Sequence, residues 1–574
     1  MTPKTLLLGA AAAMALAPAA MAERGSDGEL RIIYWQAPSI LNPFLSGGTK
    51  DVESSSMIIE PLARYDPEGN LVPWLVEEIP TTENGGVNED LTSITWNITP
   101  GIKWSDGTDF TSEDVKFTYE YCSHPEGGCA QLTKFKGVES VETPDDLTVV
   151  VNFSEPTPFP YGPFVGGESP ILQKAQFEDC MGARAPECTE ENFNPIGTGA
   201  FRVTDFRPND VIQMEANPNY RDPEKPAFAT VLFKGGGDAT AAGRAVMETG
   251  EFDYAWNLQL APDVISQMEA GGKGVAVAGF GPLMERIHLN QTNADPSLGP
   301  DMRSVSILED GVQQNPHPFL TDPAVYKAMS MAIDRPLLVE IGYGQAGKVT
   351  CNWVPAPEAF NSDSMDCSTQ DIEGANKLLD EAGITDTNGD GIREKDGVPL
   401  SILYQTSTNA VRQDFQALIK EWWSQIGIDV ELRNVNSSVF FGGDPGSPDT
   451  FQKFYADVEM YANTFNGTDP QSYLGNALCS RHPRPETQWQ GENTSRFCDP
   501  EYDELHAQLT QTADMEERAR IGRELNDMMV QRGGMIPLVH RGRLSAHSNT
   551  LGGVDLNVWD TELWNVADWY RKNE

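Results

Sequence analysis

The side chains able to do chemistry fall into few recognisable patterns. Seven histidines, at positions 124, 288, 317, 482, 506, 540 and 547, form neither HExxH nor HxH, so their spacing spells no zinc site. There is no GxSxG nucleophile elbow and no GxxxxGK(S/T) phosphate loop. Gly235-Gly236-Gly237 precedes a helical pattern, but Asp238 follows it, and a carboxylate repels the phosphate such a loop would cradle. A plain turn is the reading there. One loop resembles the opening of a calcium site. Asp386, Asn388 and Asp390 offer oxygens at positions 1, 3 and 5, with Gly391 at position 6. Position 12 is Gly397, leaving Asp396 as the substitute for the closing ligand. A calcium loop and a bare Asn/Asp/Gly turn both stand at this stage.

The eight cysteines fall in four close pairs: Cys122 and Cys129, Cys180 and Cys188, Cys351 and Cys367, Cys479 and Cys498. Eight cysteines allow 105 connectivities, and short loops close most easily, so sequential pairing is expected. Disulfides suit an oxidising compartment, and the spacings lack the CxxC of a metal site. The first 22 residues agree. Lys4 is the only charge before Glu23, Leu6 to Ala20 is almost wholly apolar, and Ala20-Met21-Ala22 is a small-x-small cleavage site. This reads as a secretory signal peptide. No cysteine near the site offers a lipid anchor, so a freely diffusing exported protein is expected.

The full chain of 574 residues carries 85 acidic against 41 basic residues, a formal net charge of −44. Such a charge disfavours nucleic acid and anionic membranes, whose phosphates need Lys and Arg clusters. Twelve Trp, 15 Tyr and 24 Phe are too many for a disordered acidic chain. The elements that must position any site alternate between strand and helix. Strand patterns lie at Leu30–Trp35, Leu91–Ile98, Leu147–Phe153, Phe252–Trp256, Ser401–Tyr404 and Ile428–Leu432. Helix patterns lie after Thr111-Ser112-Glu113-Asp114, at Ala239–Met247, after Thr321-Asp322-Pro323 and at Val411–Gln425. This alternation predicts α/β domains, and no repeat at a solenoid period appears.

Several of these segments together resemble the family 5 extracellular solute-binding proteins, the dipeptide, oligopeptide and nickel receptors of ABC importers. The resemblance rests on Ile98-Thr-Pro-Gly-Ile-Lys-Trp-Ser-Asp-Gly107 with Thr111-Ser-Glu-Asp-Val115, on Pro318–Val325 through Met331-Ala-Ile-Asp-Arg335, and on Leu378-Leu-Asp-Glu-Ala-Gly383. Asn194–Phe201 and Glu248–Asp253 match in the same order. The resemblance implies a two-lobed type II periplasmic binding protein fold of α/β class, with an extra subdomain in the N-terminal lobe. Its implied division is a signal peptide at 1–22, lobe I at 23–288 with the subdomain at about 61–190, lobe II at 289–534, and a segment at 535–574 returning to lobe I. It further implies a periplasmic monomer that binds a peptide in the interlobe cleft, hands it to a membrane permease, performs no catalysis and needs no cofactor.

The resemblance also implies an anchor. Its peptide receptors pair a ligand ammonium with an Asp three residues before an acidic-Pro pair. Here that position is Asn466, ahead of Asp469-Pro470, so either Asn466 marks a changed specificity or Asp469 serves after a short shift. Asn suits a hydroxyl-rich ligand as well, which makes an oligosaccharide or other polar solute the alternative cargo. Trp35 and Trp256 end strands, where ligands of α/β sheets bind; they read either as stacking platforms or as core. Asn257, Gln259, Tyr461 and Asn463 stand beside these positions. Arg412, opening a helix, would meet a ligand carboxylate or form a surface salt bridge. A secreted hydrolase is the rival class, and no motif supports it.

Overall fold

The computed structural model describes residues 24–299, 302–309 and 312–572; the expected signal peptide lies outside them. Strand Glu29–Tyr34, whose Leu30, Ile32 and Tyr34 are fully buried, is the axis of a seven-stranded sheet. It pairs in parallel with Thr230–Gly235 on one side and with Tyr254–Ala255 on the other. The edges are antiparallel: Val211–Ala216 and Phe201–Arg207 beyond the first neighbour, Arg543–Ser548 and Gly274–Gly279 beyond the second.

A six-stranded sheet forms the second body, in the order Gly347–Val349, Met535–Arg541, Met284–Leu289, Val458–Asn463, Ser401–Ser407, Asp429–Val435. Helices Pro323–Met331 and Ala410–Ser424 pack on it around Trp423, Ile419 and Phe415. A three-stranded antiparallel sheet, Ser93–Asn97, Thr148–Phe153 and Val138–Asp145, shares one continuous core with the seven-stranded sheet. Its helix Ser112–Ser123 carries the expected capping box between Thr111 and Asp114.

The chain changes sheets twice. It leaves Gly274–Gly279 and enters Met284–Leu289, and it returns from Met535–Arg541 to Arg543–Ser548 through the single residue Gly542. The two crossing strands pair antiparallel, with a register irregularity between Glu285 and Arg286. All four cysteine pairs are joined sequentially. Asp238 accepts from the Ala241 N–H at 2.7 Å, so the triple glycine is a turn feeding a capped helix. Among the described residues no helix is long and apolar enough to cross a membrane.

Candidate functional site

Between the two sheets lies a cleft with two adjoining chambers of about 700 and 610 Å³. They share Gly47, Thr49, Glu53, Asn463, Thr464 and Arg543. The short helix Thr49–Ser55 supplies one wall, the end of strand Val458–Asn463 another, and the crossing strand the floor. Arg541 and Arg543 flank Gly542, so the same backbone that joins the lobes carries two cations into the larger chamber.

That chamber has an aromatic wall of Trp256, Phe441, Phe451 and Tyr461. Trp256 is stacked on Tyr34 at 4.6 Å between ring centroids. Tyr461 is stacked on His288 and covered by Arg286, and its hydroxyl meets Thr494 at 2.8 Å. Beneath the rings runs a buried charge network. Arg412 binds Glu285 through Nε at 2.7 Å and a second nitrogen at 3.2 Å, and donates to Ser407 at 3.0 Å. Arg541 approaches the same carboxylate at 3.7 Å. Burial alone would raise the Glu285 carboxyl, but the two guanidiniums outweigh it and hold it below its ordinary range. Lys50 is neutralised by Asp51 at 2.7 Å.

Glu53 is different. It is buried, and Arg543 stands 3.6 Å away, yet that guanidinium also donates to the carbonyls of Asn557 and Asp560. Burial therefore prevails, with Glu562 adding repulsion, and the Glu53 carboxyl is pushed up to about 8. Glu53 accepts from the Glu562 N–H at 2.8 Å, and Glu562 in turn accepts from Tyr254 and Ser545 at 2.5 Å each.

Of the residues singled out in the sequence, Trp256, Asn257, Arg412, Tyr461 and Asn463 line the larger chamber and Asn466 the smaller. Three others are placed differently. Trp35 packs in the helix-side core, and its indole donates to the Asn257 carbonyl at 2.9 Å, so it positions the wall rather than forming it. Asp469 is committed: Arg518 donates to it at 2.7 and 3.0 Å, and its other oxygen takes the Gln471 N–H. Gln259 sits between the lobes, against Asn409 and the Tyr343 hydroxyl. Arg412 makes an internal ion pair, not a surface one, because the Asn409 cap accepts its N–H at 2.9 Å and turns the first helical turn inward.

Asp396 is likewise corrected. It is exposed, beside Lys395, and Glu394 takes the place expected of it, within reach of Asp386 and Asp390. The oxygens of Asp386 and Asp390 already accept the N–H groups of Gly389, Gly391 and Ile392, which is the Asx-turn arrangement.

Sequence reading passed over Glu53, Glu285, Arg541, Arg543, Glu492 and Glu562. A signal existed for some of them. Met284–Leu289 is a wholly buried strand holding Glu285, Arg286 and His288, and charges inside a strand pattern mark a buried polar network. Arg541-Gly542-Arg543 is a cation pair around a flexible residue.

Comparison with known proteins places this geometry. The sequence model of the bacterial extracellular solute-binding proteins, family 5 (middle), matches residues 70–483. A putative ABC transporter peptide-binding protein of Brucella ovis is 26% identical over 425 residues, covering 72% of this chain and 69% of the relative. The glutathione-binding protein GsiB of Shigella boydii is 22% identical over 515 residues, 89% of each. The oligopeptide-binding protein AppA of Bacillus subtilis, solved with a nonapeptide, superposes with a TM-score of 0.79 at 21% identity, covering 96% of this chain and 100% of that one.

Proposed function

Because the chain belongs to the family 5 bacterial extracellular solute-binding proteins, we propose that it is the periplasmic receptor of an ABC importer for short peptides. The observation that carries this reading is the interlobe cleft. It is walled by both sheets, apolar on its aromatic side, and supplied with buried charges of both signs at separate places. A peptide has that make-up: ionic ends joined by a chain of mixed polarity. No step breaks a bond; the receptor binds, closes and releases.

The lobes are divided at the crossing strands, with the extra subdomain around the three-stranded sheet and the C-terminal segment rejoining the seven-stranded sheet after Gly542. The receptor acts as a monomer, exported by the signal at 1–22, and its closed form meets a membrane permease. The aromatic wall and Asn463 suit a hydroxylated solute as well, and the test separates the two. Protein purified gently from its own host is denatured and the released small molecule identified by mass spectrometry. A set of short peptides is the expected result; a sugar or another solute without an amino group would overturn the peptide reading while leaving the receptor role intact.

A further inference from the structure

The six-stranded sheet carries a row of polar side chains across its interior. Arg433, Gln405, Glu459 and His288 stand opposite one another in register on four neighbouring strands. Glu459 is fully buried and Gln405 nearly so. One hydrogen bond joins their side chains: Gln405 Nε2 donates to Glu459 Oε1 at 2.9 Å. The other oxygen of each, Gln405 Oε1 and Glu459 Oε2, is buried and has no hydrogen-bond partner among the described residues. Two orphan acceptors on side chains already in contact call for a common explanation. An ionised carboxylate only accepts, so it satisfies neither of them. A protonated one carries an O–H donor.

The charged groups around the pair are committed elsewhere. Arg433, on the Gln405 side, pairs with Asp449. Arg496 is the cation that most favours an ionised Glu459, but its nitrogens donate to the carbonyls of Ser304, Thr494, Gln452 and Lys453. On the opposite side, burial and Arg286 push the His288 imidazole well below its ordinary range, and its Nε2 accepts from Arg286 at 2.6 Å. Tyr461, two residues along the same strand, stacks on His288 and turns its hydroxyl to Thr494. Burial likewise pushes the Glu459 carboxyl well above its ordinary range, and Arg496 and Arg433 offset that only in part.

We propose that Glu459 is held as the neutral acid and that its Oε2–H donates to Gln405 Oε1, closing an acid–amide ring between two strands of the binding lobe. One proton then sets the pairing of the strand that brings Tyr461 and Asn463 to the cleft. Ionisation would set a carboxylate oxygen against an amide oxygen with no donor between them, and the cross-strand link would be lost. An unfolded Glu titrates near 4.3, so above that value the native state keeps a proton that the unfolded chain has released. Stability from this group is full below the unfolded value and declines as pH rises. The device loosens the lobe in alkali whichever solute the cleft takes, so it stands apart from the peptide reading.

The test compares the mature protein with Glu459→Gln, whose amide offers Gln405 a donor and an acceptor but no titrating proton. Infrared difference spectra, wild type minus variant, are recorded at pH 7. The carbonyl band of one protonated carboxyl is the expected result; a carboxylate band in its place would overturn the proposal. The melting temperature of the wild type should also fall relative to that of the variant from about pH 6 to about pH 9, and a difference that stays constant over that range would overturn it equally. Gln405→Met provides the measurement if the first variant fails to fold. It removes the amide that donates to Glu459, so the protonated-carboxyl band should move to higher frequency; an unmoved spectrum would show that no such ring exists.

Discussion

Glu53 and Arg412 show opposite outcomes of burying a charge. Glu53 lies under the cleft with a shared arginine, and burial lifts its carboxyl to about 8. An unfolded Glu titrates near 4.3, so between those values the native state keeps a proton that the unfolded chain has lost. Stability from this group is therefore full below the unfolded value and declines as pH rises, by up to about 1.4 kcal/mol per pH unit. Glu53→Gln cannot titrate. The difference in denaturation midpoint between wild type and variant should change between pH 5.5 and 7.5; a constant difference would refute the assignment. Arg412 is the contrary case, since its charge is answered by Glu285. Arg412→Met would leave that carboxylate with the Tyr343 hydroxyl at 3.0 Å and, as a countercharge, the more distant Arg541. A loss of about 3–5 kcal/mol is expected by denaturant titration; a loss below about 1 kcal/mol would mean that the guanidinium is free for ligand.

At the scale of elements, the sequence patterns located the frame better than the site. Ala239–Met247 appears at its expected bounds, and Thr111 and Asp322 start helices as their types require. Period and capping chemistry are local properties, written within a few residues. The cleft is not local. Glu53, Glu285, Glu492 and Arg543 come from four distant segments, and nothing in their neighbours announces that they meet. Trp35 illustrates the limit: a strand-end tryptophan fits a platform and a core equally, and only the tertiary fold turns it inward. The same non-local logic applies to the segment closed by Cys479 and Cys498, which brings Glu492 to the smaller chamber. Its loop of 19 residues is worth roughly 3 kcal/mol. Replacing both cysteines by serine should lower stability by about that amount and weaken ligand binding as well. Replacing Cys180 and Cys188, remote from both chambers, should affect stability alone. Calorimetric titration of the two double variants checks this, and equal affinities would separate the disulfide from the site.

The two bodies of the molecule meet through scattered polar contacts, among them those of Lys136 with His506, Arg481 with the Ala130 carbonyl and Ser438 with the Ala37 carbonyl. Gln259 meets Asn409 and, at 3.3 Å, Tyr343; Asn257 meets Arg541; Thr133 meets Asn476 at 3.1 Å. Each joins a residue tied to the seven-stranded body to one near the six-stranded body or the crossing strands. Individually such polar contacts contribute about 1 kcal/mol, and the covalent link between lobes is only two chain crossings. Closure is then a population rather than a fixed state, and a ligand touching both lobes adds to the closed side only what it gains there over the open one. Gln259→Ala removes two of these contacts, and Gln259 itself lines neither chamber. The ligand-free variant should scatter X-rays with a larger radius of gyration than the ligand-free wild type. Saturating ligand should bring both to the same smaller value. Affinity should fall by the factor by which the closed fraction falls, because no chamber-lining side chain is removed. A variant with wild-type radius but weakened binding would place Gln259 in the site instead of the hinge, and one radius for all four samples would mean that the lobes do not open.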